Sequence, residues 1–272
     1  MKIIINSNKY IRLLVSIHNL FGPEDSMAKK MLNESELFGK EFHLTAQIYT
    51  DIKTNIKKSG QNKFWTLFLD KNMPKTKQKY PNLIKKLNQL IKLNNKNKTS
   101  KEISNQIIKN FKKHETKINY LLNNIFLFNL PEEVNLIVDY DITTSFTGSS
   151  LSYDPVIISV QMPEYANKIM TISLHEILHS LINKNKTIPE DKYRFEEALL
   201  DYFAPRGIID EKLNLINNFN IKERFEQIIF NRPYVKEEAQ KLLPIIKNYY
   251  KVSEKTNIWK FLKKSGYKFI NL

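Results

Sequence analysis

The chain has 272 residues, 42% hydrophobic and 11% aromatic, enough to bury a substantial core, which excludes a largely disordered protein. It contains no cysteine, which excludes disulfides and thiolate metal ligands. The net charge is +15, but only five of the 43 basic residues are arginine, the residue of specific bidentate contacts. This composition favours a solvated lysine-rich surface and predicts no specific nucleic-acid binding.

Residues 1–130 show mainly helical periodicity after a short apolar strand at residues 3–5. Asn6, Asn8 and Lys9 interrupt this first apolar run, so we expect folded structure here and, without an export signal, a cytoplasmic protein. No run approaches the ~18 apolar residues that span a bilayer, so no transmembrane segment is expected. Helices are predicted at 10–21 (ending at Gly22-Pro23), 42–56, 64–69 (ending before Pro74), 83–91, 103–111 and 118–125, with a polar loop at 94–98.

The pattern changes after Pro131, which we take as the boundary between a helical N-terminal region and a catalytic region at 131–272. One compact unit is the alternative. The sequence predicts a mostly helical α+β fold with a small sheet. Strands are predicted at 134–140 and 156–160 with a turn at 147–150, and helices at 167–182, 190–204, 207–217, 220–230, 234–251 and 257–264.

The residues with the clearest chemistry are His175-Glu176-Ile177-Leu178-His179, inside a predicted helix. Side chains at i and i+4 share one helix face, so the two histidines can present two imidazole nitrogens to one metal ion. Glu176 lies on the neighbouring flank, where its carboxylate can accept a proton from metal-bound water. Imidazole pairs suit Zn²⁺, which lowers the pKa of its bound water to about 7. The motif therefore predicts a hydrolytic zinc site.

A catalytic zinc ion takes three protein ligands and keeps one open position. The other three histidines lie far upstream, so a carboxylate from the next helix is the natural third ligand. Glu197 and Asp201 are four residues apart on one face of that helix. We expect Glu197 to bind zinc and Asp201 to accept the second N–H of a ligand histidine. Glu196 falls on another flank and has no acidic companion at i+4, which favours Glu197 over Glu196.

Together, His175-Glu-x-x-His179 and Glu197-Ala-Leu-Leu-Asp201 resemble the gluzincins, zinc peptidases with two histidines and a glutamate. The spacing of Glu197 and Asp201 resembles thermolysin-type enzymes, and Glu197 followed by Tyr202-Phe203 resembles zinc aminopeptidases. The resemblance implies zinc ligation by His175, His179 and Glu197, Glu176 as the general base, and a zincin-like core with the sheet beside the motif helix. It also implies that a peptide substrate lies along a sheet edge formed by Val156, Ile157, Ile158, Ser159 and Val160.

Two further segments, Tyr10–Ile17 and His175–Asn183, resemble an uncharacterised bacterial family of proposed gluzincin-like metallopeptidases. The chain departs from the thermolysin pattern because no histidine follows His179 to act as transition-state donor. A tyrosine can replace it, as in the aminopeptidases. The Gly-x-Met-x-Asn motif of exopeptidases is also missing upstream of the motif helix. The candidate donors are Tyr234, Tyr249 and Tyr250.

These patterns predict a zinc-dependent peptidase that hydrolyses a peptide or protein substrate. Two alternatives stay open. One is a zinc-binding module on a gluzincin scaffold that has lost turnover, although the intact Glu176 argues against it. The other is a lysine-rich nucleic-acid-binding protein with a fortuitous motif, whose DNA affinity would depend steeply on salt.

Overall fold

A computed structural model describes residues 1–21, 35–93, 101–139, 148–161, 166–216, 219–252 and 256–271. The protein is 71% helical, and its described strands form one four-stranded sheet, which confirms the α+β class. None of the described helices is long and apolar enough to cross a membrane. The strands and α-helices in chain order are β1 (Lys2–Ile5), α1 (Lys9–Phe21), α2 (Ser35–Ser59), α3 (Gln61–Leu67), α4 (Met73–Lys79), α5 (Pro81–Leu93), α6 (Lys101–Phe126), β2 (Glu133–Asp139), β3 (Gly148–Tyr153), β4 (Val156–Gln161), α7 (Ala166–Asn185), α8 (Tyr193–Asp201), α9 (Ile208–Lys212), α10 (Ile221–Asn231), α11 (Lys236–Val252) and α12 (Ile258–Lys264).

The chain divides into two compact units, each assembled from separate segments. The first unit comprises residues 1–2, 105–132 and 163–272, and the second comprises residues 3–104 and 133–162. This division differs from a single boundary at residue 131, because most of α6 joins the C-terminal part and β2–β4 join the N-terminal part. The sheet therefore belongs to the second unit and the motif helix α7 to the first.

The sheet of the second unit has the strand order β1-β2-β4-β3. Strand β4 pairs in parallel with β2, with Val134 opposite Val156, and antiparallel with β3. Because β4 is hydrogen-bonded on both sides, the prediction that residues 156–160 form a sheet edge is wrong. These five residues are all buried, which is typical of a central strand covered on both faces.

Strand β3 replaces the turn predicted at 147–150, of which residue 147 lies outside the described part of the chain. Its small polar side chains find partners on helices of the same unit, which stabilises an extended conformation that their own propensities disfavour. The Ser149 hydroxyl donates to Asn19 Oδ1 at 2.8 Å, and the Ser152 hydroxyl contacts Asn62 Oδ1 at 3.0 Å.

Most predicted helices are present, with shifted ends. The two helices expected at 103–111 and 118–125 are one continuous helix, α6. Pro74 does not end a helix but stands in the first turn of α4, where its missing N–H leaves no intrahelical bond unmade. The expected stop at Gly22-Pro23, the loop at 94–98 and Tyr140 lie outside the described residues.

In the first unit, α7 is buried around its whole circumference, from Ile169 to Ile182. A helix that is buried on every face belongs to a core, and each polar side chain on it needs a partner there. The end of α8 is fixed nearby, because the Tyr202 hydroxyl donates to the Ala239 carbonyl at 2.8 Å and Phe203 packs edge-on against Phe126. This core places α7 and α8 side by side and gives both a rigid surrounding.

Candidate metal centre

The two motif histidines converge inside the first unit. His175 and His179 lie one turn apart on α7, and their side chains are 2% and 7% exposed. Their Nε2 atoms are 3.0 Å apart, and the rings meet edge to face. The i, i+4 spacing therefore brings both imidazoles to one point, as the sequence predicts.

Glu197 completes the group from α8. Its Oε1 lies 3.3 Å from Nε2 of His179, and its Oε2 lies 3.6 Å from Nε2 of His175. In a tetrahedral zinc site with ligand bonds of about 2.1 Å, neighbouring ligand atoms are about 3.4 Å apart. The separations of 3.0, 3.3 and 3.6 Å are close to that value, and the two distances to Glu197 run to its two different oxygens.

Hydrogen bonds at the far side of each ring determine which nitrogen faces the centre. Nδ1 of His175 lies 2.7 Å from the carbonyl oxygen of Ala204, which can only accept, so this nitrogen carries the proton. Nδ1 of His179 lies 2.5 Å from Oε1 of Glu196 and donates to that carboxylate. Both histidines are thus held as metal ligands usually are, with Nε2 directed inward.

Two inward lone pairs at 3.0 Å repel each other unless a positive charge lies between them. In the metal-free protein a proton on His179 can supply that charge. Burial by itself lowers the pKa of His179, but the carboxylates of Glu197 and Glu196 raise this pKa well above its ordinary value. A divalent cation satisfies both lone pairs and the Glu197 carboxylate at once, which a single proton does not.

A tight turn after α8 presents the Ala204 carbonyl to His175. The turn is closed by bonds from the N–H groups of Ile208 and Ile209 to the carbonyls of Tyr202 and Phe203, at 3.1 and 3.0 Å. Only glycine fits at residue 207, because a Cβ there would overlap these same main-chain oxygens.

Asp201 does not accept a hydrogen bond from a ligand histidine, in contrast to the prediction. Its Oδ1 is 4.0 Å from Nδ1 of His175, beyond hydrogen-bond distance. Glu196 performs that function for His179, and a main-chain carbonyl performs it for His175. The prediction was wrong because it placed Glu196 on another flank, whereas all of Phe195–Asp201 is buried and Glu196 contacts His179.

Two arginines from the region of α10 enter the site. The guanidinium of Arg232 forms an ion pair with Oε2 of Glu197 and lies 3.6 Å from Oδ2 of Asp201. Arg224 donates from Nε to the Asp201 carbonyl oxygen at 2.7 Å. Neither arginine was singled out in the sequence, because no local spacing connects them with residues 197–201.

Buried carboxylates and buried cations lie together around this cluster. Four carboxylates, each at most 6% exposed, lie on α7 and α8, and Arg224 and Arg232 are the cations paired with them in the described residues. Burial raises the pKa of Glu176, an effect that His175 and His179 partly offset. The four carboxylates are Glu176, Glu196, Glu197 and Asp201.

The three predicted donor tyrosines have different surroundings. Tyr249 is fully buried against the rings of Phe203 and Phe261, and the hydroxyl of Tyr250 contacts Glu211 at 2.5 Å. Tyr234 is 45% exposed, and after burial the Glu197 carboxylate is the main cause that raises its pKa. Of these three, Tyr234 is therefore the one associated with the cluster.

Tyr193, which the sequence analysis did not single out, also adjoins Glu197. It is 50% exposed, and its pKa is raised by burial and then by the charge and hydrogen bond of Glu197. Tyr193 and Tyr234 interact with each other as well. Two half-exposed tyrosines are thus coupled electrostatically to Glu197, although the three converging side chains are buried.

Comparison with known proteins gave no match: no family model, no curated protein and no solved structure matches this chain. The resemblance to gluzincins therefore stays a prediction based on the residues that carry it. The chemistry of the centre has to be inferred from its own distances, burial and charges.

Proposed function

We propose that the protein is a zinc-dependent peptidase whose metal ligands are His175, His179 and Glu197. The observation that carries this proposal is the convergence of three buried side chains, whose ligand atoms lie within 4.8 Å of one another, with the buried Glu176 carboxylate under the electrostatic influence of all three. Two histidines and one glutamate form a recurring ligand set of catalytic zinc ions. Nitrogen and oxygen donors without thiolate also suit zinc better than a softer metal.

Each residue around the centre has its own role in the proposed hydrolysis. When bound, zinc lowers the pKa of a water molecule to about 7 and polarises the substrate carbonyl. Glu176 accepts a proton as the water attacks and returns it to the leaving amine. Tyr193 and Tyr234, whose pKa values respond to Glu197, provide hydroxyl donors for the negative charge that develops on the carbonyl oxygen of the substrate. Hydrolysis of a peptide amide draws on all of these contributions, because its carbonyl has to be polarised and its leaving amine has to be protonated.

A zinc-binding module without turnover is the second candidate. The low exposure of all three ligands favours it, since structural zinc sites are closed. The half-exposed tyrosines beside Glu197 and the acidic residue at position 176 favour the peptidase, because a closed structural site needs neither.

Removal of the metal separates the two candidates. We expect the purified protein to cleave members of a peptide library, to lose this activity on dialysis against a chelator, and to recover it with one equivalent of Zn²⁺. The His114→Ala variant, which lacks a histidine outside the cluster, should behave like the wild type throughout. A zinc-loaded protein that cleaves no peptide would favour the silent module, and hydrolysis that persists without metal would contradict the proposal.

A further inference from the structure

The two oxygens of the Glu197 carboxylate have different partners. Oε2 forms the ion pair with Arg232 and lies 3.6 Å from Nε2 of His175, whereas Oε1 lies 3.3 Å from Nε2 of His179. A carboxylate with both oxygens free can bind a metal ion through one oxygen or through both. Here the guanidinium occupies one oxygen, which leaves Oε1 as the freer donor.

Arg232 is itself held by a second carboxylate. Its Nε lies 3.6 Å from Oδ2 of Asp201, and Asp201 is one helical turn from Glu197 on the same face of α8. Asp201 is fixed in turn by Arg224, through the bond to its carbonyl and an approach of 3.7 Å to Oδ1. Charges of alternating sign thus run through Glu197, Arg232, Asp201 and Arg224, and this sequence of contacts connects α8 with α10.

We propose that Arg232 is a positioning residue that makes Glu197 a one-oxygen ligand, and that Asp201 acts through Arg232. This inference rests on the proposed metal centre. A one-oxygen carboxylate keeps the metal four-coordinate, with three protein ligands and one position for water or substrate. A two-oxygen carboxylate would occupy additional space around the ion.

The geometry explains why a lysine cannot fully replace Arg232. The planar guanidinium offers several N–H groups in a fixed arrangement, so it can bind Glu197 and approach Asp201 at the same time. An ammonium group is a single point of charge on a flexible chain. Arg232→Lys should therefore keep the attraction to Glu197 but hold the carboxylate less firmly.

Cobalt substitution tests the proposal without any need for a substrate. Co²⁺ replaces zinc in such sites, and its visible absorption is strong for four-coordinate and weaker for higher-coordinate ions. We expect Arg232→Gln to lower Co²⁺ and Zn²⁺ affinity about 10–100-fold, as outer partners of metal ligands do, and to weaken the Co²⁺ absorption. Arg232→Lys and Asp201→Asn should change both quantities in the same direction, but less.

Arg194→Gln is the matched control, because Arg194 lies on α8 as well but is exposed. It should leave the affinity and the Co²⁺ spectrum unchanged. Circular dichroism and thermal unfolding of the metal-free variants show whether they fold. If Arg232→Gln does not fold, Arg232→Lys, which keeps the positive charge, still tests the proposal.

The outcomes separate this proposal from the metal centre itself. Wild-type protein that binds neither Co²⁺ nor Zn²⁺ would overturn the proposed function, and the positioning role with it. Wild-type binding with unchanged affinity and spectrum in both Arg232 variants would overturn only the positioning role. A weakened spectrum in Arg232→Gln, smaller in Arg232→Lys and absent in Arg194→Gln, would support it.

Discussion

Replacement of Glu176 by glutamine is expected to reduce peptide hydrolysis at least ~100-fold while the protein still binds one zinc ion per chain. The reduction follows from the loss of the general base, because an amide cannot accept the proton of the attacking water. Metal binding should persist, since Glu176 is not among the three converging ligands. Rates on a cleaved library peptide and the zinc content of both proteins provide the measurement.

The fold should tolerate this change. Glu176 is 5% exposed and burial raises its pKa, so the charged carboxylate is less favourable in the native state than in the unfolded chain. Glutamine has the same shape and no charge, which predicts an unfolding temperature at or above that of the wild type. Glu190→Gln, at an exposed position before α8, is the control and should retain full activity. Full activity in Glu176→Gln would exclude the proposed mechanism.

Zinc affinity should fall most in Glu197→Ala, because this substitution removes a ligand. Glu196→Ala should cost about 10–100-fold, since it removes the acceptor that orients His179 through Nδ1 but leaves all three ligands in place. Competition with a chromogenic chelator measures both affinities on one scale. Glu197→Gln belongs in the series because it leaves a neutral oxygen beside Arg232. Its zinc affinity should lie between those of Glu197→Ala and Glu196→Ala.

The reverse order would change the interpretation of the site. If Glu196→Ala released the metal and Glu197→Ala retained it, Glu196 would be the third ligand. Arg232 would then act on a residue outside the coordination sphere, and its proposed positioning role would fall as well. Equally small losses of zinc affinity in both variants would instead exclude both glutamates as ligands.

The ligand group could be predicted from the sequence because it depends on local geometry. His175 and His179 share a face of α7 by helical periodicity alone, and Glu197 lies on the next α-helix in the chain, α8. The helical character of most segments was predictable for the same reason. In each case the information lies within one or two turns of a helix.

The surroundings of the ligands could not be predicted, because they come from residues that are distant in the chain or from the main chain. The Ala204 carbonyl that binds His175 reaches it through a turn, and a backbone acceptor leaves no pattern of side chains. Arg224 and Arg232 meet α8 by tertiary packing. The error on Asp201 has this origin, since a carboxylate at i+4 was expected to meet a histidine but instead meets two cations.

The strands show the same limitation. The apolar run of β4 predicted a strand, but pairing on both of its sides depends on β3, whose serine-rich sequence looks like a turn. Helix α1 and helix α3 provide the hydrogen bonds that hold β3 extended. Partners of this kind are determined by the fold of the whole unit, so the position of a strand within a sheet is harder to predict than its existence.

The metal content of the purified protein tests the central claim most directly. After dialysis against metal-free buffer and addition of excess Zn²⁺, followed by removal of the unbound ion, elemental analysis should find one zinc ion per wild-type chain. The His179→Ala variant, which lacks one of the three converging ligand atoms, should retain almost none. Wild-type protein that contains no metal and does not rebind Zn²⁺ would contradict the metal centre and the peptidase proposal together.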